Sequence, residues 1–471
     1  MTAQPIDIVV LFLYVAVLGG FSFYFYFKVQ HFSEYYDGGR RWRPWLIGFS
    51  VAAANLGAAN TVGAVGMAYR EGYSAMWYVM LQALAFIPFA YIAIHKMYAL
   101  NEITLAEYLE NRYRAWLRPV AATTLALATF AILPAQIVGG ASIIHTLTGW
   151  NETGAYLGVG AALIVFTALG GLPSVVYNDV VQWSLLVGGL AVGLPILLAH
   201  GGGLAGIAAA LPATHRNIWT GASGGWSFFT ILAWSITVLI ARFGSQEWFQ
   251  RTRAASSPTA ARRGFIMGGL MAAPFGVITM LVGVAALTQF PHLANPEEAF
   301  ARAMMSAVPT GLRALVMSAI LAAVAASGEA SVNAATALIV NDVCRRYVFR
   351  DRTDRFYLRL SQAACVVLGF AALTMALVSP AIVAYIRLGF LLRTPVAIAV
   401  FAGLYWRGAN AAGAAAGIIA GTLAVIGWHI LGDPKMLDPF WIGAPVTILS
   451  LYTASRLFAG TYAVQAAGGG R

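Results

Sequence analysis

Long runs of apolar residues, separated by short polar and basic stretches, recur along the whole chain. A helix needs about 20 mostly apolar residues to cross the hydrocarbon of a bilayer, and the runs are close to this length. The pattern therefore predicts an all-α integral membrane protein with about 13 transmembrane helices. The predicted spans are 6–27, 43–68, 73–95, 119–147, 154–172, 174–199, 226–245, 264–290, 314–344, 360–379, 381–405, 411–432 and 438–457.

The order of the spans predicts one transmembrane domain over residues 1–471, with a short cytoplasmic tail over 458–471. Spans two to six and seven to eleven make two sets of five, and an odd number of spans inverts the second set in the membrane. We therefore expect two inverted repeats, 43–199 and 226–405, with a peripheral helix at 6–27 and two extra helices over 411–457. This expectation comes from counting spans, because the halves show no clear sequence similarity.

Composition and charge agree with a membrane location. Only 10% of the residues are charged, whereas a soluble domain carries roughly 25%. The net charge of +11 is spread in short clusters between spans, which argues against a nucleic-acid partner. With the N-terminus outside, five basic residues fall in outer loops: Arg70, Arg216, Arg302, Arg313 and Lys435. The basic excess then lies inside, which predicts a cytoplasmic C-terminus in a bacterial cytoplasmic membrane.

One predicted span is unusual in its residues. The run GFSVAAANLGAANTVGAVGMAYREG is crowded with glycine and alanine and carries Asn55, Asn60 and Thr61 near its centre. Gly57 and Gly63 would let a helix unwind, and freed carbonyls facing a cavity can coordinate a cation or solute. We expect this helix to be broken near Asn55 to Gly57. The alternative is an unbroken helix whose small residues allow close packing.

Four segments resemble the sodium:solute symporter family, which includes the sodium/proline and sodium/galactose transporters. They are AAANLGAANTVGAVGMAYREG, GGLPSVVYNDVVQ, SQEWFQRTRAASSPTAARRG and ASGEASVNAATALIVNDVCRRY, in family order. The resemblance implies a LeuT-like core with a broken first helix. It also implies Na⁺ as the coupling ion, a small-molecule solute and alternating access. The sequence contains no HExxH, nucleophile or phosphate-loop motif, so we do not expect an enzyme.

The resemblance also implies a sodium site. By family position, the carbonyls of Ala53, Leu56 and Ala323 and the hydroxyl of Ser327 would be ligands. The family has a second hydroxyl at position 326, where this chain has Ala326. Positions 323, 326, 327 and 330 share one helix face.

Buried charges leave several roles open. Asp179 lies where some family members have a carboxylate at a second sodium site, and Glu329 brings a carboxylate into a membrane helix. We expect the two to form a second ion or proton site; a structural acid or an internal salt bridge is the alternative. Arg393, deeper than Arg387 in the same span, could bind a substrate carboxylate, pair with Glu329 or extend to an interface. Arg242 is expected to be structural or to act in gating, as is Glu247.

Polar and aromatic side chains on the expected cavity side are candidates for binding the solute. They are Asn60, Thr61, Tyr78, Gln82, Trp234, Ser235, Thr237 and Arg393. Ser245 stands where sugar-transporting relatives have an asparagine, which argues against a sugar, and the arginines within spans favour a solute with a carboxylate.

The leading hypothesis is therefore sodium-coupled symport of a small polar solute. A proton-coupled or sodium-independent transporter that uses Glu329, Asp179 and Arg393 is the alternative. A channel and a sensor are further alternatives.

Overall fold

The computed structural model describes residues 4–28, 31–379, 382–431 and 438–459. Lys435, the tail from residue 460 onward and the edge residues 381 and 432 of two predicted spans lie outside the described residues. The described part holds helices and no β-strand, and one isolated bridge joins Trp42 to Ala255.

The helices of the first half are α1 Pro5–Lys28, α2 Phe32–Asp37, α3 Pro44–Asn55, α4 Val62–Glu71, α5 Met76–Leu84, α6 Phe86–Ile92, α7 Ile94–Tyr98, α8 Leu105–Arg112, α9 Leu117–Phe130, α10 Leu133–Thr148, α11 Glu152–His200 and α12 Gly203–Ala210. Those of the second half are α13 Phe228–Ala241, α14 Gln246–Ala254, α15 Pro258–Ala272, α16 Phe275–Gln289, α17 Ala299–Ala307, α18 Leu312–Ile339, α19 Asp354–Val378, α20 Ile382–Tyr405, α21 Ala411–Ile430 and α22 Phe440–Leu457. A π-helix, Val340–Val348, continues α18.

Each predicted span falls on helix within the described residues, and the all-α prediction is confirmed. Eight helical segments there are long and apolar enough to cross a membrane, and a ninth qualifies if α13 and α14 are one bent span. The count of about 13 therefore stays a prediction. The long helix α11 covers two predicted spans. It is interrupted at Gly171, whose φ of 58° and ψ of −161° are not helical.

Two interruptions position the site. The first separates α3 from α4, in the span that the glycine and asparagine pattern predicted to break. The second lies at Ser245, where α14 leaves the line of the preceding helix at an angle of 58°. Both are surrounded by protein. Helix α3 packs against α15, α11 and α18, and the 3-10 turn Arg242–Gly244 before the bend packs against α20 and α6. Irregular backbone can exist at membrane depth only when protein or water surrounds it in this way.

Candidate functional site

The candidate site begins where the backbone leaves helical geometry after Asn55. Leu56 has φ −99° and ψ 52°, and Gly57 is extended at φ −71° and ψ −168°. A short 3-10 turn, Ala58–Asn60, precedes α4. Because α3 ends here, its last carbonyls lose their helical partners and are free to bind other groups.

Side chains stabilise this broken backbone. The Ala58 N–H donates to Gln136 Oε1 at 2.8 Å, and Thr61 Oγ1 donates to the Gly57 carbonyl at 2.9 Å. Asn60 Nδ2 donates to the Asn55 carbonyl at 2.5 Å. These bonds replace part of the helical hydrogen bonding, so the break is a fixed feature of the fold.

Ser327 of α18 faces the break at close range. A Cβ added to Gly57 would lie 2.5 Å from Ser327 Cβ and Oγ and 2.6 Å from Gln136 Oε1. The absence of a side chain at Gly57 therefore lets α18 approach the broken backbone. Of the predicted sodium ligands, Ala53, Leu56 and Ala323 are all buried. The Ala53 carbonyl accepts the Leu56 N–H at 3.1 Å and keeps its second lone pair.

A narrow cavity of about 40 Å³ lies beside the break, which is room for a few water molecules. Its walls come from both halves of the chain and are unusually polar for the interior of a membrane protein. The polar side chains that line it are Asn55, Asn60, Gln82, Gln136, Arg242, Glu247, Ser327, Ser331 and Arg393. The sequence prediction placed Asn60, Gln82 and Arg393 at such a cavity, and the structure brings these three together.

Two of the predicted solute-binding amides bind each other. Gln82 Nε2 donates to Asn60 Oδ1 at 2.7 Å, and Asn60 Nδ2 donates to Gln82 Oε1 at 3.2 Å. Both side chains are buried, at 5% and 2% exposure. The pair ties the break to α5. Because Asn60 Nδ2 also donates to the Asn55 carbonyl and Gln82 Nε2 also donates to the Tyr78 carbonyl, the amide oxygens are the groups left to accept hydrogen bonds at the cavity wall.

Arg242 is a buried cation without a carboxylate partner. One guanidinium nitrogen, Nη2, donates to Asn55 Oδ1 at 2.9 Å and to the Gln82 carbonyl at 2.8 Å. The guanidinium carbon lies 3.9 Å from the centre of the Phe86 ring, a cation–π contact. Among the described residues no ion pair includes Arg242, and its Nε has no hydrogen-bond partner. With Arg242 and Arg393 against the single carboxylate of Glu247, the cavity wall keeps an excess of one positive charge.

Arg393 is paired, but with a residue other than the one proposed from sequence. Its Nη1 lies 2.6 Å from Glu247 Oε1 and donates to Ser245 Oγ at 3.2 Å. The proposed pairing with Glu329 is wrong, because the bend at Ser245 brings Glu247 beneath α20 and satisfies Arg393 there. Arg387 forms its own pair with Asp438 at 2.6 Å, with 39% of its side chain exposed.

We expect the Glu247–Arg393 pair to contribute strongly to stability. Glu247→Gln would leave Arg393 buried and unpaired, which costs about 3–5 kcal/mol. Arg393→Gln would leave Glu247 buried and unpaired in the same way. The double variant should recover much of the stability that either single variant loses. Thermal unfolding of the purified variants in detergent measures these effects.

The partly exposed pair Arg302–Glu298, whose side chains are 52% and 27% exposed, is the matched control for this cycle. Changing both of its members to neutral amides should cost about 1 kcal/mol or less, because water screens the pair. If the double variant loses as much stability as Glu247→Gln and Arg393→Gln lose together, the two side chains do not stabilise each other.

Asp179 is also neutralised within the protein. Its Oδ2 lies 3.0 Å from Arg251 Nη2 and accepts a short hydrogen bond from Ser50 Oγ. The carboxylate and the guanidinium are both fully buried. Asp179 thus links α11 to α14 and α3, and its other oxygen, Oδ1, has no partner.

Glu329 is the less compensated carboxylate. It is fully buried on α18 and accepts one hydrogen bond from Asn178 Nδ2 at 3.3 Å. Its second oxygen has no partner, and no ion pair of the described residues includes it. The proposed salt bridge of Glu329 is therefore wrong within the described part of the chain.

The other predicted solute contacts lie outside the wall of this cavity. Tyr78 stacks on Trp234 with ring centres 5.0 Å apart, and Trp234 Nε1 donates to the Tyr78 carbonyl at 3.0 Å. The hydroxyls of Ser235 and Thr237 bond to carbonyls of their own helix, and Thr61 bonds to the break. Their roles in binding the solute stay predictions.

Arg242, Glu247 and Gln136 line the cavity although sequence reasoning did not select them as solute contacts. Gln136 follows Pro134 in the apolar run LPAQIVGG. An amide in such a run is itself a signal, because a membrane helix rarely carries an unpaired polar side chain.

Comparisons with known proteins agree with this geometry. The model of the sodium:solute symporter family matches residues 35–421. A sodium/glucose cotransporter of Vibrio parahaemolyticus is 24% identical over 88% of this chain and 83% of its own length. A high-affinity proline transporter of Bacillus subtilis is 24% identical over 93% and 95%. A sodium/pantothenate symporter of Haemophilus influenzae is 23% identical over 87% and 88%.

Solved structures share the architecture. A Na⁺-coupled sialic acid symporter in a substrate-bound outward-open state superposes with a TM-score of 0.81. It is 23% identical to this chain, and the match covers 97% of this chain and 98% of that one. The nucleobase-cation-symport transporter Mhp1 superposes with a TM-score of 0.59 at 15% identity, over 90% and 94%. At such identities the likeness shows the fold, a helical core of the LeuT type.

Proposed function

The chain belongs to the sodium:solute symporter family, and from this premise we propose that it couples sodium entry to uptake of a small polar solute bearing a carboxylate. It is a multi-pass membrane transporter and not an enzyme. The observation that carries the choice of solute is the excess positive charge of the cavity beside the helix break, where Arg242 forms no ion pair among the described residues.

The proposed sodium ligands are the carbonyls of Ala53, Leu56 and Ala323 and the hydroxyl of Ser327. The close approach of Ser327 to the backbone at Gly57 supports this set, since it puts a hydroxyl oxygen beside the end of α3. Hard cations prefer several oxygen ligands. Backbone carbonyls at a broken helix supply such oxygens whatever the side chains are, so the loss of a hydroxyl at Ala326 weakens the site without removing it.

The test is solute uptake into liposomes with sodium replaced by choline at constant pH. We expect choline to abolish concentrative uptake, and Ser327→Ala to raise the sodium concentration for half-maximal uptake about tenfold. Ser318→Ala is the control, because Ser318 is buried on the same helix away from the break. Uptake that does not depend on sodium but depends on a proton gradient would favour the proton-coupled alternative.

We propose a second ion site at Glu329 and Asp179. Glu329 is the better candidate to bind a cation, because its carboxylate has no cationic partner among the described residues, whereas Asp179 forms an ion pair with Arg251. A cation near Glu329 would compensate a carboxylate that is costly at membrane depth. Glu329→Gln should then lower the number of sodium ions moved per solute, whereas unchanged stoichiometry would exclude this site.

The proposed solute class follows from charge. The cavity is lined by two arginines, Arg242 and Arg393, and one carboxylate, Glu247. Because Glu247 is taken by Arg393, one positive charge remains for the solute. Because Arg242 Nη2 already donates to Asn55 and to the Gln82 carbonyl, Nη1 is the nitrogen that would donate to a solute carboxylate in a charge-assisted hydrogen bond. The amide oxygens of Gln82 and Asn60 would accept hydrogen bonds from the solute's other polar groups.

The proposed orientation puts the N-terminus outside and the C-terminus in the cytoplasm of a bacterial cell, because most arginines then lie inside. The proposed repeats are 43–199 and 226–405. Labelling single introduced cysteines near residues 31 and 290 from either side of the membrane tests the orientation.

A further inference from the structure

A concave surface rich in arginine lies at the turn that connects the π-helix after α18 to the start of α19. It has a volume of about 590 Å³, and Trp116, which precedes α9, forms part of its wall. We call it the arginine cup, and its basic members are Arg345, Arg346, Arg350 and Arg352. The cup is far along α18 from the sodium and solute site at Ser327.

The charge of the cup is only partly compensated. Arg346 pairs with Glu110 at 2.7 Å, and Asp351 is the one acidic residue in the wall. Elsewhere at this end of the bundle, arginines are used by the protein itself. Arg118 pairs with Glu110 and Asp342, and Arg112 donates to the Gly403 and Trp406 carbonyls.

The cup is held in shape without neutralising its cations. The Arg345 guanidinium lies 5.1 Å from the ring centres of both Phe32 and Tyr357. Tyr357 OH donates to the Phe349 carbonyl at 2.5 Å and accepts the Arg352 N–H at 3.2 Å. Stacking therefore fixes the Arg345 guanidinium, and the two bonds of Tyr357 fix the turn that carries Arg350 and Arg352, whose exposed side chains stay available to an anion.

Exposed apolar and aromatic groups surround the basic wall. Trp116 is 44% exposed, Tyr347 is 41% exposed and Val348 is 60% exposed. Tryptophan and tyrosine are typical of the membrane–water interface, where one side of the ring meets lipid and the other meets water. A ligand with a phosphate head and apolar tails fits this surface better than a free anion does.

We infer that the arginine cup binds the phosphate group of an anionic phospholipid from the surrounding leaflet. Basic pockets between membrane helices recognise such head groups by charge and by paired hydrogen bonds. Because the cup includes the turn after α18, a bound lipid would restrict the movement of this end of α18. Ser327 lies in the middle of the same helix. The inference is independent of which solute the protein transports.

The test compares lipid retention by purified protein in native mass spectrometry. The probes are phosphatidylglycerol, phosphatidylcholine and inorganic phosphate, each titrated separately. We expect the protein to prefer phosphatidylglycerol, and Arg350→Gln with Arg352→Gln to weaken that binding about tenfold to thirtyfold. The side chains of both arginines are exposed, so the variant should fold, and an unchanged melting temperature without lipid checks this.

Arg262→Gln with Arg263→Gln is the matched control. It removes the same charge from exposed residues near the start of α15, outside the cup, and should leave phosphatidylglycerol binding unchanged. Equal losses in both double variants would show general attraction to the membrane and overturn the inference. Inorganic phosphate binding as tightly as phosphatidylglycerol would assign the cup to a free anion, and equal retention of phosphatidylcholine would remove the role of charge.

Discussion

Arg242→Gln should raise the apparent KM for a transported carboxylic acid by at least about 30-fold, and by up to several thousand-fold. Removing one partner of a buried, hydrogen-bonded charge pair costs about 2–5 kcal/mol, which corresponds to this range. Arg242→Lys should recover only part of the loss, because an ammonium keeps the charge but lacks the separate planar donors that bind Asn55, the Gln82 carbonyl and the solute at once. Initial rates of uptake into liposomes, at saturating sodium, measure the effect.

The solute itself supplies the sharpest control. In the wild-type protein, the apparent KM for the amide of the solute should be much higher than the KM for the acid. In Arg242→Gln, the ratio of these two KM values should fall to near one. Arg302→Gln removes an arginine that is half exposed and paired with Glu298, and should change neither value. If Arg242→Gln lowers uptake of acid and amide equally, Arg242 only supports Asn55 and Gln82 at the break, and the proposed solute class is wrong.

The overall fold was largely predictable because the bilayer restricts the choices. Backbone groups in hydrocarbon must be paired within a helix, so apolar runs of sufficient length mark helices whatever their detailed residues. The break was predictable for a related reason. Asn55, Gly57 and Asn60 in one span are difficult to explain in a helix that faces lipid, and the structure gives each of them a polar or close contact.

Partners of buried charges were not predictable in the same way. Pairing with Glu329 was one of three roles that the sequence left open for Arg393, whereas its partner in the structure is Glu247. The sequence places Glu247 near the inner end of the span 226–245, where a structural or gating role is expected. The 58° bend after Gly244 brings that carboxylate under α20. A bend of this kind depends on packing between distant segments, and hydropathy along one segment does not report it.

Arg242 was underestimated for the same reason. From sequence it stood near the inner end of a span, where a structural or gating role was expected. In the structure, Phe86 of another helix covers one face of its guanidinium, and Asn55 binds its edge. The structure therefore shows that Arg393 forms an ion pair with a carboxylate and that Arg242 forms none among the described residues. This difference depends on three distant segments of the chain, so one segment alone does not predict it.

Gly57→Ala should abolish sodium-driven uptake while leaving a folded protein. The φ of −71° at Gly57 suits any residue, so backbone strain is not the reason for glycine here. The reason is space, since a Cβ would lie 2.5 Å from Ser327 Oγ and 2.6 Å from Gln136 Oε1. Ser327 and the end of α3 would have to move apart, and this displacement separates the proposed sodium ligands. Sodium-dependent protection of the purified protein against thermal unfolding measures the site without any solute.

Gly188→Ala is the matched control, because a Cβ there has nothing within 4 Å and Gly188 lies within α11. It should keep both uptake and sodium protection, and alanine should even favour the helix slightly. Gly57→Ala should lose sodium protection, with a melting temperature in choline close to that of the wild type. Retained sodium protection together with lost uptake would mean that Gly57 serves the solute cavity and not the ion. That result would contradict the proposed ligand set of Ala53, Leu56, Ala323 and Ser327, because the added methyl group must displace the Ser327 hydroxyl, which would lie 2.5 Å from it.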